Sequence, residues 1–332
     1  MPAAKSFFQL IKERNEILWA PCVYDCISAR VAEAIGFEAV TISSSEQRDS
    51  LTGGRMRGLI SMDEMLYSAE RIAKSTSMAV FADTEAGGAS PMDTYKNIKR
   101  FAEAGIMAVN IEDEAIVHLG KTIIDEQCFL SAEQWAIHVQ AAVEAVKGTD
   151  CMVIARTNCK GGGAKKFNNG YFGIPADHML GLDEAIRRAQ LGIKVGAHMT
   201  MIQSINAYTE RESWYKIRDL VPGWMCYPDI HADDGISDVD DVDELYKMGF
   251  QLITCHCLSK GAISGMMKYG TRLMKDRNTV FSENDDYLGA DKELLAKYRS
   301  LGTGKDYKEV EAKLEKNFPN VCNYKMSLEK VR

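Results

Sequence analysis

The chain has 332 residues, 46% of them apolar and 26% charged, a composition that suits a globular protein with a large core. Its 47 acidic and 40 basic side chains leave a net charge of −7, which argues against a nucleic-acid-binding surface. No apolar run reaches membrane-spanning length, the first residues show no long hydrophobic signal core, and nine cysteines lie without paired spacing, so a cytoplasmic protein with reduced thiols is expected.

In chain order, residues 6–15 carry a helical apolar pattern and residues 17–23 read as a strand. The run from Tyr24 to Arg30 opens a helix that continues to Ile35 and is ended by Gly36. A strand over 39–42 stops in the polar run Ser43, Ser44, Ser45 and Glu46, and a loop rich in Gly and Arg spans 52–58 before a helix over 62–74. The most informative stretch follows. An apolar run from Ala79 closes on Asp83, a loop carries Glu85, Gly87 and Gly88, a helical pattern covers 91–104, and a second apolar run ends in Glu112 and Asp113. Short apolar runs flanking a helix read as buried parallel strands joined by a crossover.

Beyond a segment over 115–130, helices at 132–146, 182–195, 208–220 and 239–248 alternate with strands at 152–156, 199–202, 224–227 and 252–257. The loop over 159–180 contains three consecutive glycines and leaves the C-terminal end of its strand, which favours a lid or gate. Eight strands, most followed by a helix, predict one (β/α)8 barrel domain over about residues 17–275 with a C-terminal helical extension over about 283–332.

In such barrels ligands bind where the strands end. Tyr24 and Asp25 follow the first strand, Ser43, Ser44 and Ser45 the second, Asp83 and Glu85 the third, Glu112 and Asp113 the fourth, and Arg156 ends the fifth. The serines offer hydroxyls and N–H groups to a carboxylate or oxyanion, and Arg156 can hold an anionic substrate in a bidentate pair. Tyr24, Asp25 and Arg156 are therefore catalytic candidates, although acids at these positions also serve as helix caps. His198 and His231 are weaker candidates, since a lone His is more often packed or at the surface. Cys255-His256-Cys257 invites a zinc reading, but strand alternation turns His256 to the face opposite both thiols and favours core packing.

Five segments resemble the isocitrate lyase and phosphoenolpyruvate mutase superfamily, in its methylisocitrate lyase-like branch. They are Tyr24-Asp25-Cys26-Ile27-Ser28-Ala29-Arg30, Phe81-Ala82-Asp83-Thr84-Glu85, Ile111-Glu112-Asp113, Ala155-Arg156-Thr157, and Gly181-Leu182-Asp183-Glu184-Ala185-Ile186-Arg187-Arg188-Ala189. The likeness spans about residues 17–275. It implies a (β/α)8 barrel whose last helix is exchanged between subunits of a homodimer or homotetramer. It also implies Mg²⁺ (or Mn²⁺) bound through water and carboxylates, with a pyruvate-like or oxalate-like enolate on the metal. On this resemblance Asp83 and Glu112 belong to the metal shell, and Ser43, Ser44, Ser45 and Arg156 hold the oxo acid.

Two departures stand out. The family strand end is Asp-Ala-Asp-Thr-Gly, whereas this chain places Phe81 at the first Asp and Glu85 at the Gly. Phe supplies no oxygen, and Glu85, two residues beyond Asp83 on the same strand face, is the expected substitute ligand. Lyases of the family carry an acid–base Cys after Ile-Glu-Asp. Gly120 occupies that position here, leaving His118 or Lys121 for proton transfer unless the segment is a solvated loop.

The leading expectation is a carbon–carbon bond lyase acting on a small 2-hydroxy or 2-oxo carboxylate through an enolate. A mutase, hydrolase or decarboxylase acting on phosphonopyruvate or oxaloacetate is the second, and a metal-free barrel that binds a ligand without the family reaction is the third. Each expects a small carboxylate as partner, and neither nucleic acid nor membrane.

Overall fold

A computed structural model describes residues 5–54, 58–115, 128–162, 174–205, 210–228, 242–283, 291–301 and 305–317. Eight short apolar segments form a closed parallel barrel in sequence order: β1 (Leu18–Val23), β2 (Ala39–Ile42), β3 (Ala79–Ala82), β4 (Ala108–Ile111), β5 (Met152–Thr157), β6 (Met199–Ile202), β7 (Trp224–Tyr227) and β8 (Leu252–Cys255). The ring closes between β8 and β1, with Leu18 opposite Leu252 and Pro21 opposite Cys255. Both faces of these strands are covered, which is why their sequences read as unbroken apolar runs and not as alternations.

Alternation nevertheless sorts the side chains. Leu18, Ala20, Ala39, Ala79, Phe81, Ala108, Met152, Ile154, Met199, Met201, Cys226 and Leu252 share one interior cluster with Phe7, Leu10 and Ile11. Those last three belong to α1 (Phe7–Lys12), which covers the N-terminal end of the barrel. The other strand faces meet α2 (Cys26–Ile35), α4 (Met62–Ser75), α5 (Pro91–Glu103), α6 (Ala132–Ala145), α7 (Gly181–Lys194), α8 (Arg211–Leu220) and α9 (Val242–Lys247) in two outer core clusters. The expected (β/α)8 barrel is therefore present.

Local chemistry sets the helix starts. Ser61 with Glu64 and Ser131 with Gln134 form reciprocal capping boxes on α4 and α6, and Ser90 followed by Pro91 opens α5. The strand over 39–42 is present as β2, and the polar run that follows it forms an additional helix, α3 (Ser44–Thr52), capped by Ser43. Its acid three residues after the capping serine was a helix-start signal, masked by the scarcity of apolar residues beyond it.

After the barrel come α10 (Leu258–Asp276), α11 (Val280–Glu283), α12 (Lys292–Leu301) and α13 (Lys305–Asn317). The α12 helix packs back on α2, where Arg30 lies over the Tyr298 ring and donates to its carbonyl. No helix among the described residues is long and apolar enough to cross a membrane, and the eight cysteines among them are free thiols. His118, Lys121, Gly120, His231 and the middle of the 159–180 loop lie outside the described residues.

Candidate active site at the barrel mouth

Strand parity decides which acids enter the mouth. On β4 and its exit, Ala108, Asn110 and Glu112 share the inward parity, while Asp113 points the other way, towards α7. There Asp113 is fully buried and accepts from Arg188 Nη1 at 3.1 Å, from the Asn158 N–H at 2.8 Å and from the Thr157 hydroxyl. The expectation that Asp113 converges with the other acids on one pocket is thus corrected: it anchors α7 to the end of β4.

Arg156, from the inward face of β5, places Nη1 at 3.1 Å from Glu112 and 3.6 Å from Asp83. Asp83 also accepts from the Asn110 amide at 2.9 Å, the Ser44 hydroxyl at 3.0 Å and the Glu85 N–H at 3.2 Å. Burial works to raise the Asp83 pKa, but Arg156 and these three donors outweigh it and hold the group below the ordinary carboxylate range. Asp83 is an anion at neutral pH.

The serine run contributes as a helix terminus. Ser43 caps α3 and lies 3.0 Å from the Ser45 hydroxyl, while Ser44 donates to Asp83. The Ser44 and Ser45 N–H groups that open α3 have no intrahelical acceptor and so present donors near the acids. Tyr24 leaves the end of β1, and burial, then Asp25 and Glu46, raise its pKa, so its phenol is a proton-bearing donor at neutral pH. Asp25 has another task. Its carboxylate Oδ1 caps α2, accepting from the Ser28 N–H at 2.7 Å.

Glu85 is also reassigned. It adopts a left-handed backbone, φ +51°, at a position where the resembling family has Gly, and its carboxylate pairs with the buried Arg48. Turned to Arg48, it does not replace the oxygen that Phe81 lacks, and Phe81 is packed in the barrel interior. Asp83 and Glu112 remain, and they fit a divalent ion. Both reach toward one cationic atom, and Mg²⁺ is often held by one or two carboxylates and completed by water.

Sequence reasoning missed Asn110, Cys22, Glu46 and His256 as mouth residues. The signal for Asn110 was a polar residue inside an apolar strand, two positions before Glu112. The other three meet only through barrel closure and are treated below.

The sequence profile of the phosphoenolpyruvate phosphomutase family matches residues 7–272. The chain belongs to this family. It is 26% identical over 318 residues to the chloroplastic carboxyvinyl-carboxyphosphonate phosphorylmutase of Arabidopsis thaliana, covering 89% of this chain and 84% of that one. It is 23% identical over 301 residues to 2,3-dimethylmalate lyase of Eubacterium barkeri, covering 88% and 96%. Among solved structures, phosphonopyruvate hydrolase in complex with oxalate and Mg²⁺ shares the fold with a TM-score of 0.68 and 20% identity, over 89% of this chain and 93% of that one. The relatives matched by sequence thus include a phosphorylmutase and a lyase, and a hydrolase shares the fold.

Proposed function

We propose that the chain is a carbon–carbon bond lyase that acts on a small 2-hydroxy or 2-oxo carboxylate through an enolate. The observation that carries this reading is the Asp83–Arg156–Glu112 cluster beside the N-terminus of α3, at the C-terminal mouth of a family barrel. Asp83 and Glu112 would hold Mg²⁺ or Mn²⁺, whose positive charge would offset the negative charge of an enolate. With the two carboxylates committed to the ion, the Arg156 guanidinium is released to pair with the substrate carboxylate. Ser44 and the first-turn N–H groups of α3 orient the oxo-acid oxygens, and Tyr24 donates a hydrogen bond from its neutral phenol. Proton transfer to and from the cleaved bond falls to His118 or Lys121. Free thiols and the absence of a membrane-spanning helix among the described residues support a cytoplasmic assignment.

The phosphorylmutase relative favours a second reading, in which the substrate is a phosphonate and a P–C bond is made or broken. Phosphorus NMR on phosphonopyruvate separates the two. The deciding experiment is calorimetric titration of oxalate, an enolate mimic, with and without Mg²⁺. Metal-dependent binding that Arg156→Ala weakens about tenfold or more, roughly 1.4 kcal/mol, is expected. Oxalate binding without metal would point to an anion site with changed chemistry, and no binding in either condition would overturn the catalytic reading.

The same reading includes a homodimer or homotetramer. The α10 helix buries only Ser259 and exposes Ile263, Met266, Met267, Leu273 and Met274, an apolar face that a second copy of the chain would cover.

A further inference from the structure

The β1–β8 side of the mouth holds a second group of ligand-type side chains. Cys22 is the penultimate residue of β1, and His256 directly follows β8. Because Pro21 pairs with Cys255, the next residue on each strand, Cys22 and His256, stand side by side with inward parity. Glu46 reaches them from the first turn of α3. One donor atom from each of the three, a sulfur, a nitrogen and an oxygen, lies within 4.8 Å of the other two. Cys22 Sγ is 4.0 Å from His256 Nε2, and His256 Nδ1 is 3.1 Å from Glu46 Oε1.

Glu46 gives the independent pointer. It occupies the position from which a capping-box acid turns back to the capping serine, and Ser43 does accept from its N–H. Its carboxylate turns instead towards β8, where Oε1 accepts from the Ser259 hydroxyl and faces His256. The residue is 2% exposed, and Oε2 is buried without a hydrogen-bond partner. No Lys or Arg among the described residues pairs with it. An unmatched carboxylate oxygen in such a place costs free energy that a bound cation would offset.

We propose that Cys22, Glu46 and His256 form a site for a transition-metal ion of the Zn²⁺ class, separate from the oxygen-only pair Asp83 and Glu112. A thiolate, an imidazole and a carboxylate are borderline-soft donors that suit Zn²⁺, whereas Mg²⁺ demands oxygen. Tetrahedral Zn²⁺ with bonds of about 2.0–2.3 Å sets its ligand atoms about 3.3–3.8 Å apart, so Cys22 Sγ and His256 Nε2 close by a few tenths of an ångström, and the Glu46 carboxylate, which faces Nδ1, swings to the Nε2 side of the ring to complete the set. Three protein ligands leave a fourth position for water or a substrate carboxylate. The His256 side chain, 31% exposed, opens that position to the mouth. Cys255 and Cys257, whose sulfurs are 3.7 Å apart on the opposite parity, are the competing thiols.

The test uses the full chain, stripped with a chelator, kept reduced and titrated with Co²⁺. The readout is the near-ultraviolet thiolate-to-cobalt charge-transfer band. One Co²⁺ per chain is expected, displaced by Zn²⁺ and not by Mg²⁺. Cys22→Ser should abolish the band, and His256→Ala and Glu46→Gln should each weaken Co²⁺ binding about tenfold or more. The Cys255→Ser/Cys257→Ser double variant and Asp83→Asn should leave the band in place. No band in the natural chain overturns the proposal, as does a band that survives Cys22→Ser or disappears with the double variant. Should Cys22→Ser fail to fold, the half-exposed His256 decides, and unchanged Co²⁺ affinity in His256→Ala overturns the site.

Discussion

Glu85 illustrates how one residue can exchange roles. Where the resembling family keeps a glycine, this chain holds a left-handed backbone with a side chain that is useful elsewhere, pairing with the buried Arg48. Two histidines show a similar commitment to structure. His138 is buried with Nδ1 2.8 Å from the Thr94 hydroxyl, and His198 Nδ1 accepts from the Val153 N–H at 2.9 Å. Burial pulls the pKa of both below the ordinary value. The folded chain therefore binds fewer protons at these sites than the unfolded chain. The resulting stabilisation is complete above the unfolded pKa of about 6.5 and is lost as pH falls through the folded values. The urea midpoint is expected to fall between pH 7 and pH 5, and a His138→Gln/His198→Gln double variant should flatten that decline. An unchanged slope in the variant would remove these residues from the account.

At the scale of elements, α7 is tied to the end of β4 by the Arg188–Asp113 pair, in which both side chains are at most 2% exposed. Arg188 also donates to Glu184 and to the Leu130 carbonyl, so it joins its own helix to the segment before α6. Arg188→Met keeps most of the volume but leaves Asp113 buried without its cation. Loss of one partner of a buried pair costs about 3–5 kcal/mol, and denaturant unfolding should show a decrease of that size. A much smaller loss would mean that Thr157 and Asn158 alone satisfy Asp113. The α3 helix makes the opposite point: its polar composition concealed it, because its first turn lies over the mouth and not against an outer core.

For the whole molecule, the unanswered surface is α10. Met267 is 68% exposed and Met274 81%, and neighbouring residues form a groove lined by Ile263, Met267 and Thr271. Light scattering on the full chain should report a mass of at least twice the monomer. Met267→Lys combined with Met274→Lys should shift it to the monomer without lowering the thermal midpoint of the barrel. A monomeric natural chain would remove the exchanged-helix assembly.

The strands and the barrel were legible because short apolar runs recur with helical patterns between them, and a run buried on both faces keeps that signature wherever it is placed. The candidate strand-end residues Asp83, Glu112 and Arg156 were legible for the same reason, since each follows such a run directly. Which of two adjacent acids enters the mouth was not legible, because alternation sets Glu112 and Asp113 on opposite faces without saying which face is inward. Closure of the ring settles that parity. The pairing of Glu85 likewise required a partner that only packing supplies, Arg48 as a buried cation. Cys22, Glu46 and His256 are far apart in sequence, and no local spacing joins them. They meet because the last strand of the barrel pairs with the first.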